Sequence, residues 1–257
     1  MRRLIIAIIA LLFAFPLARS TEAHVIWIET NPKGEPGKEH KVELYFGEPH
    51  QFRREEAGGL LDRHDEVEAW AIGLKGEKIK IDFKKGVNLF SGIITPQKAG
   101  KHHILAKSLG GAPRDNIRSL FFARAQFFSF QKGRVREREE EIKEQMELDI
   151  LPVTRSLDPL LGSIAPKAGS EFVVRVIFKG NALTGQEVQA HGPNGWIKEL
   201  QSTDSWGVTS FVPLWPGLYV VQVMHDEKSV GEFQGKRYEL LNRRATLSFI
   251  VEDFLGR

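Results

Sequence analysis

From residue 24 onward, hydrophobic and polar positions alternate with a period close to two. Lys41-Val42-Glu43-Leu44-Tyr45-Phe46 and Val67-Glu68-Ala69-Trp70-Ala71-Ile72 show the pattern most cleanly. A period of two sends successive side chains to opposite faces of a pleated strand, so these segments predict half-buried β-strands. Residues 25–28, 78–83, 89–94, 102–106, 171–178, 187–191, 207–212, 218–224 and 245–251 predict further strands. Gly and Pro punctuate them roughly every eight to twelve residues, the rhythm of antiparallel β-sandwiches.

Two stretches break the alternation. Leu120 to Phe130, LFFARAQFFSF, is apolar on nearly every position and is read as a strand buried on both faces, with a helix as the rival. Gly133 to Glu147 is dense in Arg and Glu and reads as a solvated loop or short helix. Pro152 to Gly169 carries three prolines and two glycines and is the best linker. It divides the chain into an N-terminal sandwich, 24–155, and a C-terminal sandwich, 156–257.

The two halves echo one another. Thr95 to Ala106, TPQKAGKHHILA, and Pro213 to Val223, PLWPGLYVVQV, each lead through Pro and Gly to an aromatic ring that opens an apolar strand. In sandwich domains an aromatic residue at such a corner packs and bonds back to the preceding turn. His102 stands where Tyr219 stands, so a packing role competes with any ligand role for His102. In the second half, the order of strand, Gly-marked turn, Thr203-Asp204-Ser205-Trp206-Gly207 and Pro216-Gly217-Leu218-Tyr219 is common in transthyretin-like and carboxypeptidase-regulatory-like sandwiches. The expected fold is all-β, with two Ig-like or transthyretin-like β-sandwich domains following a cleaved signal peptide.

That signal is read from Arg2 and Arg3, the apolar run Leu4 to Phe15, Pro16 and a small polar stretch. The run is about twelve residues, short of the roughly twenty a membrane-spanning helix needs, so no transmembrane segment is expected in the mature chain. Cleavage is expected after Ala23, with Ser20 the rival position. Losing Arg2, Arg3, Arg19 and Glu22 would bring the formal charge of +3 close to neutrality. A near-neutral chain without a dense basic patch makes nucleic acid a poor partner.

There is no cysteine. Thiolate nucleophiles, Cys-ligated zinc, iron–sulfur clusters and disulfides are thereby excluded. No nucleophile elbow, phosphate-binding loop, helical zincin motif or spaced carboxylate pair stands out, so the chain is not expected to be an enzyme. Histidine remains, with eight residues. Imidazole is the commonest metal ligand, and a chain without Cys can still build a nitrogen-rich site.

His24 differs from the others by position. Cleavage after Ala23 would free its α-amine, which could chelate an ion together with ring Nδ1, while a second imidazole would complete a histidine brace. The rival role for His24 is simply to start a strand that packs through Val25 to Ile28. His225, at the end of a strand, is the first choice for the second imidazole. His50, after the strand ending at Phe46, is a lesser candidate. His102 and His103 point to opposite faces of their strand, so at most one can join a site. His40 and His64 lie in charged segments, and His191 is a distant candidate.

These residues resemble an exported bacterial family grouped as a domain of unknown function and labelled NikM-like, a nickel- or cobalt-transport-associated periplasmic subunit. Ala23-His24-Val25-Ile26-Trp27-Ile28-Glu29-Thr30 is similar to the family's A-H-x-x-W-x-E-P opening, with Thr30 in place of Pro. Asp158 to Val188 resembles its D-P…G…F-x-V-x-F-x-G-x-x-L-x-G-x-x-V order, and Thr203 to His225 its T-D-x-x-G…P-G-x-W/Y strand ending in His. The resemblance implies metal ligands at His24 and His225. It places His50 two positions from the His of the family's G-H-P-F turn.

The reading is a periplasmic or otherwise exported protein that binds nickel, cobalt or copper and serves metal uptake or homeostasis beside an inner- or outer-membrane metal transporter. The rivals are a structural or carbohydrate-binding Ig-like envelope module, drawn from Trp196, Trp206 and Trp215, and a histidine-brace copper oxidoreductase.

Overall fold

The computed structural model describes residues 24–51, 53–73, 75–131, 146–153 and 165–253. The expected export segment, most of the charged stretch after Gly133 and the expected division at residue 155 lie outside them. Among the described residues the elements are almost all strands: β1 (Val25–Thr30), β2 (Lys33–Gly34), β3 (His40–Glu48), β4 (Arg53–Arg54), β5 (Val67–Ile72), β6 (Lys78–Lys80), β7 (Lys84–Lys85), β8 (Phe90–Ile94) and β9 (Gly100–Ser108). Then follow β10 (Ile117–Ser129), β11 (Leu148–Pro152), β12 (Phe172–Phe178), β13 (Asn181–Ala182), β14 (Val188–His191), β15 (Ile197–Glu199), β16 (Val208–Phe211), β17 (Gly217–Phe233) and β18 (Lys236–Val251). Short 3-10 turns at Pro49–Gln51, Leu60–His64 and Pro193–Gly195 complete the frame.

The strands form three sheets. The largest has the order β15-β14-β17-β18-β10-β9-β5-β6, with β2 beside β10. A second, β1-β3-β8-β7 with β4 on β3, covers one face, and a third, β11-β12-β13 with β16 on β12, covers the other. β10 shows why this happens. Phe121, Ala123, Ala125 and Phe127 pack with Ile26, Ile28, Val42 and Leu44 of the second sheet. Leu120 and Phe122 pack with Leu148, Ile150, Val174 and Val176 of the third. Both faces of β10 are therefore buried, which accounts for its nearly unbroken apolar run.

The all-β sandwich expectation holds. The two halves of the chain nevertheless share one sheet, because β10 pairs with β18 in parallel over Ile117↔Leu240 to Ala125↔Ser248. The same strands carry a buried ion pair between layers: Arg124 on β10 donates to Asp149 on β11 through Nε at 2.9 Å and Nη2 at 2.6 Å.

The echoed corners are also present. Tyr219 is fully buried and its hydroxyl accepts a bond from the Trp215 amide at 3.2 Å. His102, also buried, donates from Nε2 to the Lys98 carbonyl at 3.1 Å, again four residues upstream. β17 and β18 extend well past the predicted 218–224 and 245–251 as an antiparallel ribbon turned at Gln234-Gly235. Its outer residues are too polar for alternation to reveal. Arg118 stacked on Phe233, with its guanidinium 3.8 Å from the ring centre, holds the ribbon from outside.

Candidate functional site

β1 is an edge strand, and three successive alternate carbonyls along its free side, beginning at His24, are met by side chains of β18. Arg244 Nη1 donates to the His24 carbonyl at 2.7 Å, Thr246 Oγ1 to Ile26 at 2.7 Å, and Ser248 Oγ to Ile28. Alternate residues of β18 thus form a row of donors matched to alternate carbonyls of β1, as the pleat requires. On its other edge β1 pairs with β3 from Val25↔Gly47 to Thr30↔Val42. His24 is clamped on both sides.

Three charged groups gather around its ring. Nε2 donates to Glu55 Oε1 at 2.8 Å, and Nδ1 lies 3.5 Å from Glu48 Oε1. Arg53 bridges the carboxylates, with Nε 3.1 Å from Glu55 and Nη1 3.9 Å from Glu48. Gly47 makes this convergence possible: a Cβ there would collide with the Arg53 carbonyl, so only glycine lets β4 return so closely. Glu48 is the unusual member. It is fully buried, and neither carboxylate oxygen has a hydrogen-bond partner. A buried carboxylate in that state costs free energy unless a cation compensates it.

Beside this cluster opens a cleft of about 390 Å³ lined by His24, Phe46, His64, Arg63, Arg114 and Arg244, among others. His64 lies against Phe46, ring centres 4.0 Å apart, and its Nδ1 shares a 2.8 Å hydrogen bond with Ser108 Oγ. Burial, and after it the Arg63 guanidinium, pushes His64 down to about 3.

The structure does not bring His24 and His225 together, which corrects the expected shared site. Met224 pairs with Arg244 and His225 with Arg243, so alternation puts His225 on the opposite face of the sheet from Arg244 and β1. There His225 packs on Phe178, donates from Nδ1 to Gln186 at 3.3 Å, and is held below its ordinary pKa by burial and Arg243. His102 and His103 do face opposite ways. His102 stacks on Phe127 at 4.8 Å. His103 Nδ1 accepts from Arg124 at 3.0 Å and Gln126 at 3.1 Å, and burial, then Arg124, lowers its pKa far below normal. Both rings serve their layers. His50 approaches neither His24 nor His225 in bonding distance but meets His191, ring centres 5.6 Å apart. His40, expected in a solvated segment, is buried against Phe127 at 3.8 Å.

Glu48 and Glu55 were not legible as partners of His24. One signal was present: His40, Val42, Leu44, Phe46 and Glu48 share a parity on β3, so a carboxylate falls in register with core residues. Among the described residues, no group of three or more His, Asp or Glu side chains already stands at metal-holding distances.

Fold and site together define an all-β sandwich protein with a His and Glu cluster where its first strand begins. The chain belongs to the family described as Domain of unknown function (DUF4198), whose model matches residues 21–227. No curated protein matches it. Solved structures similar to it include a DUF4785 family protein from Legionella pneumophila, at 11% identity over 84% of this chain and 54% of that one, TM-score 0.29. Another is a marsupial T cell receptor, at 8% identity over 90% of this chain and 74% of that one, TM-score 0.28. The chain thus spans about half the length of the Legionella protein.

Proposed function

We propose that this is an exported protein that binds a transition-metal ion, nickel, cobalt or copper, as cargo for envelope metal uptake or homeostasis, and that it does so at His24 with Glu48 and Glu55. The observation that carries the reading is Glu48: a fully buried carboxylate without a hydrogen bond, 3.5 Å from an imidazole nitrogen. The donor set fits a borderline divalent ion, since imidazole and carboxylate suit nickel, cobalt, copper and zinc. Cleavage after Ala23 would add the α-amine of His24. Capture requires His24 Nε2 to leave Glu55 or Nδ1 to turn fully toward the ion, and Arg53 balances the carboxylates without one. The nickel or cobalt association that the family resemblance implies belongs to this same reading.

The test is calorimetric titration of the chain processed at Ala23 with Ni(II), Co(II) and Cu(II), beside Glu48→Gln and a form retaining one extra N-terminal residue. At least tenfold weaker binding is expected for both. Unchanged affinity in Glu48→Gln overturns the reading, and unchanged affinity in the extended form removes the amine from it.

The exposure of Trp206 at 71% and Trp215 at 40% favours a second reading, a carbohydrate-facing sandwich module. Polysaccharide binding lost in Trp206→Ala, in a chain that binds no metal, would establish it instead.

A further inference from the structure

His50 and His191 lie 141 positions apart in the sequence and meet where the two halves of the chain touch. His50 is the middle residue of the 3-10 turn Pro49–Gln51 that follows β3, and His191 is the last residue of β14. Their ring centres are 5.6 Å apart, with the rings inclined at 32°. The turn that carries His50 rests on the Pro193–Gly195 turn just beyond His191: a Cβ on Gly195 would stand 3.3 Å from the His50 carbonyl. Gly192, between His191 and that turn, is packed against Tyr219 so closely that a Cβ would come within 2.7 Å of its ring. The backbone around the pair is therefore set by buried packing.

The nitrogens of His191 have no well-formed hydrogen bond within the protein. His191 is 4% exposed, and neither Nδ1 nor Nε2 has a hydrogen-bond partner. The Gln222 side chain, which donates from Nε2 to Gln189 at 2.7 Å, lies beside the His191 ring and interacts with it without forming a well-aligned hydrogen bond. Buried polar groups are overwhelmingly paired, so an imidazole with both nitrogens unmatched needs a reason. Its neighbour is a second imidazole. His50 Nε2 accepts from the Gln51 amide at 3.1 Å, so its lone pair becomes available to an ion when that exposed neighbouring side chain swings aside.

The geometry points to a second metal site, in which His50 and His191 hold one borderline divalent ion between them, with water completing the shell, and staple the two halves of the chain together. The ring separation supports it. With a metal–nitrogen bond of about 2.0–2.1 Å, a ring centre lies about 3.2 Å from the ion, and two such rings with centres 5.6 Å apart subtend an angle of about 120° at it. That angle falls in the range between tetrahedral and trigonal ligation. Two neutral imidazoles suit Zn(II), Ni(II) or Cu(II). The site is independent of His24 and its carboxylates.

The experiment is titration of the full chain with Zn(II) alone, followed by calorimetry and by thermal unfolding with Zn(II) or with EDTA, for the natural sequence, His50→Gln, His191→Gln and His24→Ala. One equivalent of Zn(II) is expected to be lost, or bound at least tenfold more weakly, in both His50→Gln and His191→Gln and kept in His24→Ala. Zn(II) should raise the unfolding temperature of the natural chain and of His24→Ala, but by much less in the other two. His191 is buried and its replacement can disturb folding, whereas His50 lies on a short, half-buried turn, so His50→Gln keeps the test decisive. Unchanged stoichiometry and affinity in His50→Gln overturn the second site. Zinc binding abolished by His24→Ala and untouched by His50→Gln would overturn it while leaving the His24 site standing.

Discussion

Arg244 donates to the carbonyl of His24 at 2.7 Å, joining the first described residue to the last long strand. With Thr246 and Ser248 it completes the edge of β1, so the candidate site is held by a strand that the chain makes last. No turn or local propensity near residue 24 positions that histidine.

Removing one donor from this row should loosen β1. Thr246→Val keeps the shape of the side chain but leaves the buried Ile26 carbonyl unsatisfied. A loss of about 1–3 kcal/mol is expected. Urea unfolding measures it, and a midpoint equal to that of the natural chain would refute the anchoring role.

Glu48 offers a contrast between stability and binding. Replacing a poorly compensated buried charge by an apolar side chain of similar volume is often neutral or stabilising, by up to about 4 kcal/mol. Glu48→Leu is therefore expected to raise the urea midpoint of the metal-free chain while abolishing metal binding at His24. A variant that is less stable and still binds Ni(II) would show that Glu48 serves the fold.

The Arg124–Asp149 pair should behave in the opposite way, because its geometry is bidentate and the Met146 amide adds a 3.2 Å bond to the carboxylate. Asp149→Ala leaves a buried guanidinium without a counter-charge, bonded only to the neutral His103 ring, and should cost about 3–5 kcal/mol. Denaturant titration of Asp149→Ala, and of the double variant Arg124→Met with Asp149→Leu, checks this; the double variant should recover part of the loss.

Acid should destabilise the fold well before carboxylates titrate. Burial holds His64 at about 3 and His40 and His191 at about 4, each below the ordinary histidine value. Below about pH 6.5 the unfolded chain takes protons that the folded chain refuses, so stability is greatest above that value and declines as the pH falls from 6.5 toward 3–4. His64 alone should account for about 2 kcal/mol at pH 5. Unfolding at pH 7.5 and pH 5 should show the drop, and His64→Phe should shrink it. A flat profile across that interval would refute the account.

Much of the fold was legible because strand periodicity is local. Val42, Leu44 and Phe46, or Val221 and Val223, announce an inward face within a few residues, and the corners ending in His102 and Tyr219 carry their own Pro and Gly. The outer ribbon of β17 and β18 was not legible, since Asp226, Lys228 and Glu232 are exposed while the half-buried residues between them include Glu227, Ser229 and Gly231, which leave no apolar period. β11 was hidden for a different reason: Leu148-Asp149-Ile150 alternates over only three residues beside a charged stretch, and only the pairing with Arg124 makes Asp149 a core member.

The histidines mark the boundary between the two kinds of information. Sequence by itself determined that the chain is all-β, that it has no thiol chemistry, that His102 and His103 face opposite ways, and that His24 opens the first strand. Tertiary structure alone decided which side chains meet. The parallel pairing of β10 with β18 sets β1 against one face of the shared sheet and leaves His225 on the other, while the strand return at Gly47 delivers Glu48, Arg53 and Glu55 to His24. The same packing sets His50 against His191. Periodicity assigns a residue to a face, but which faces touch depends on sheet order, and sheet order is a long-range property that no short window of sequence contains.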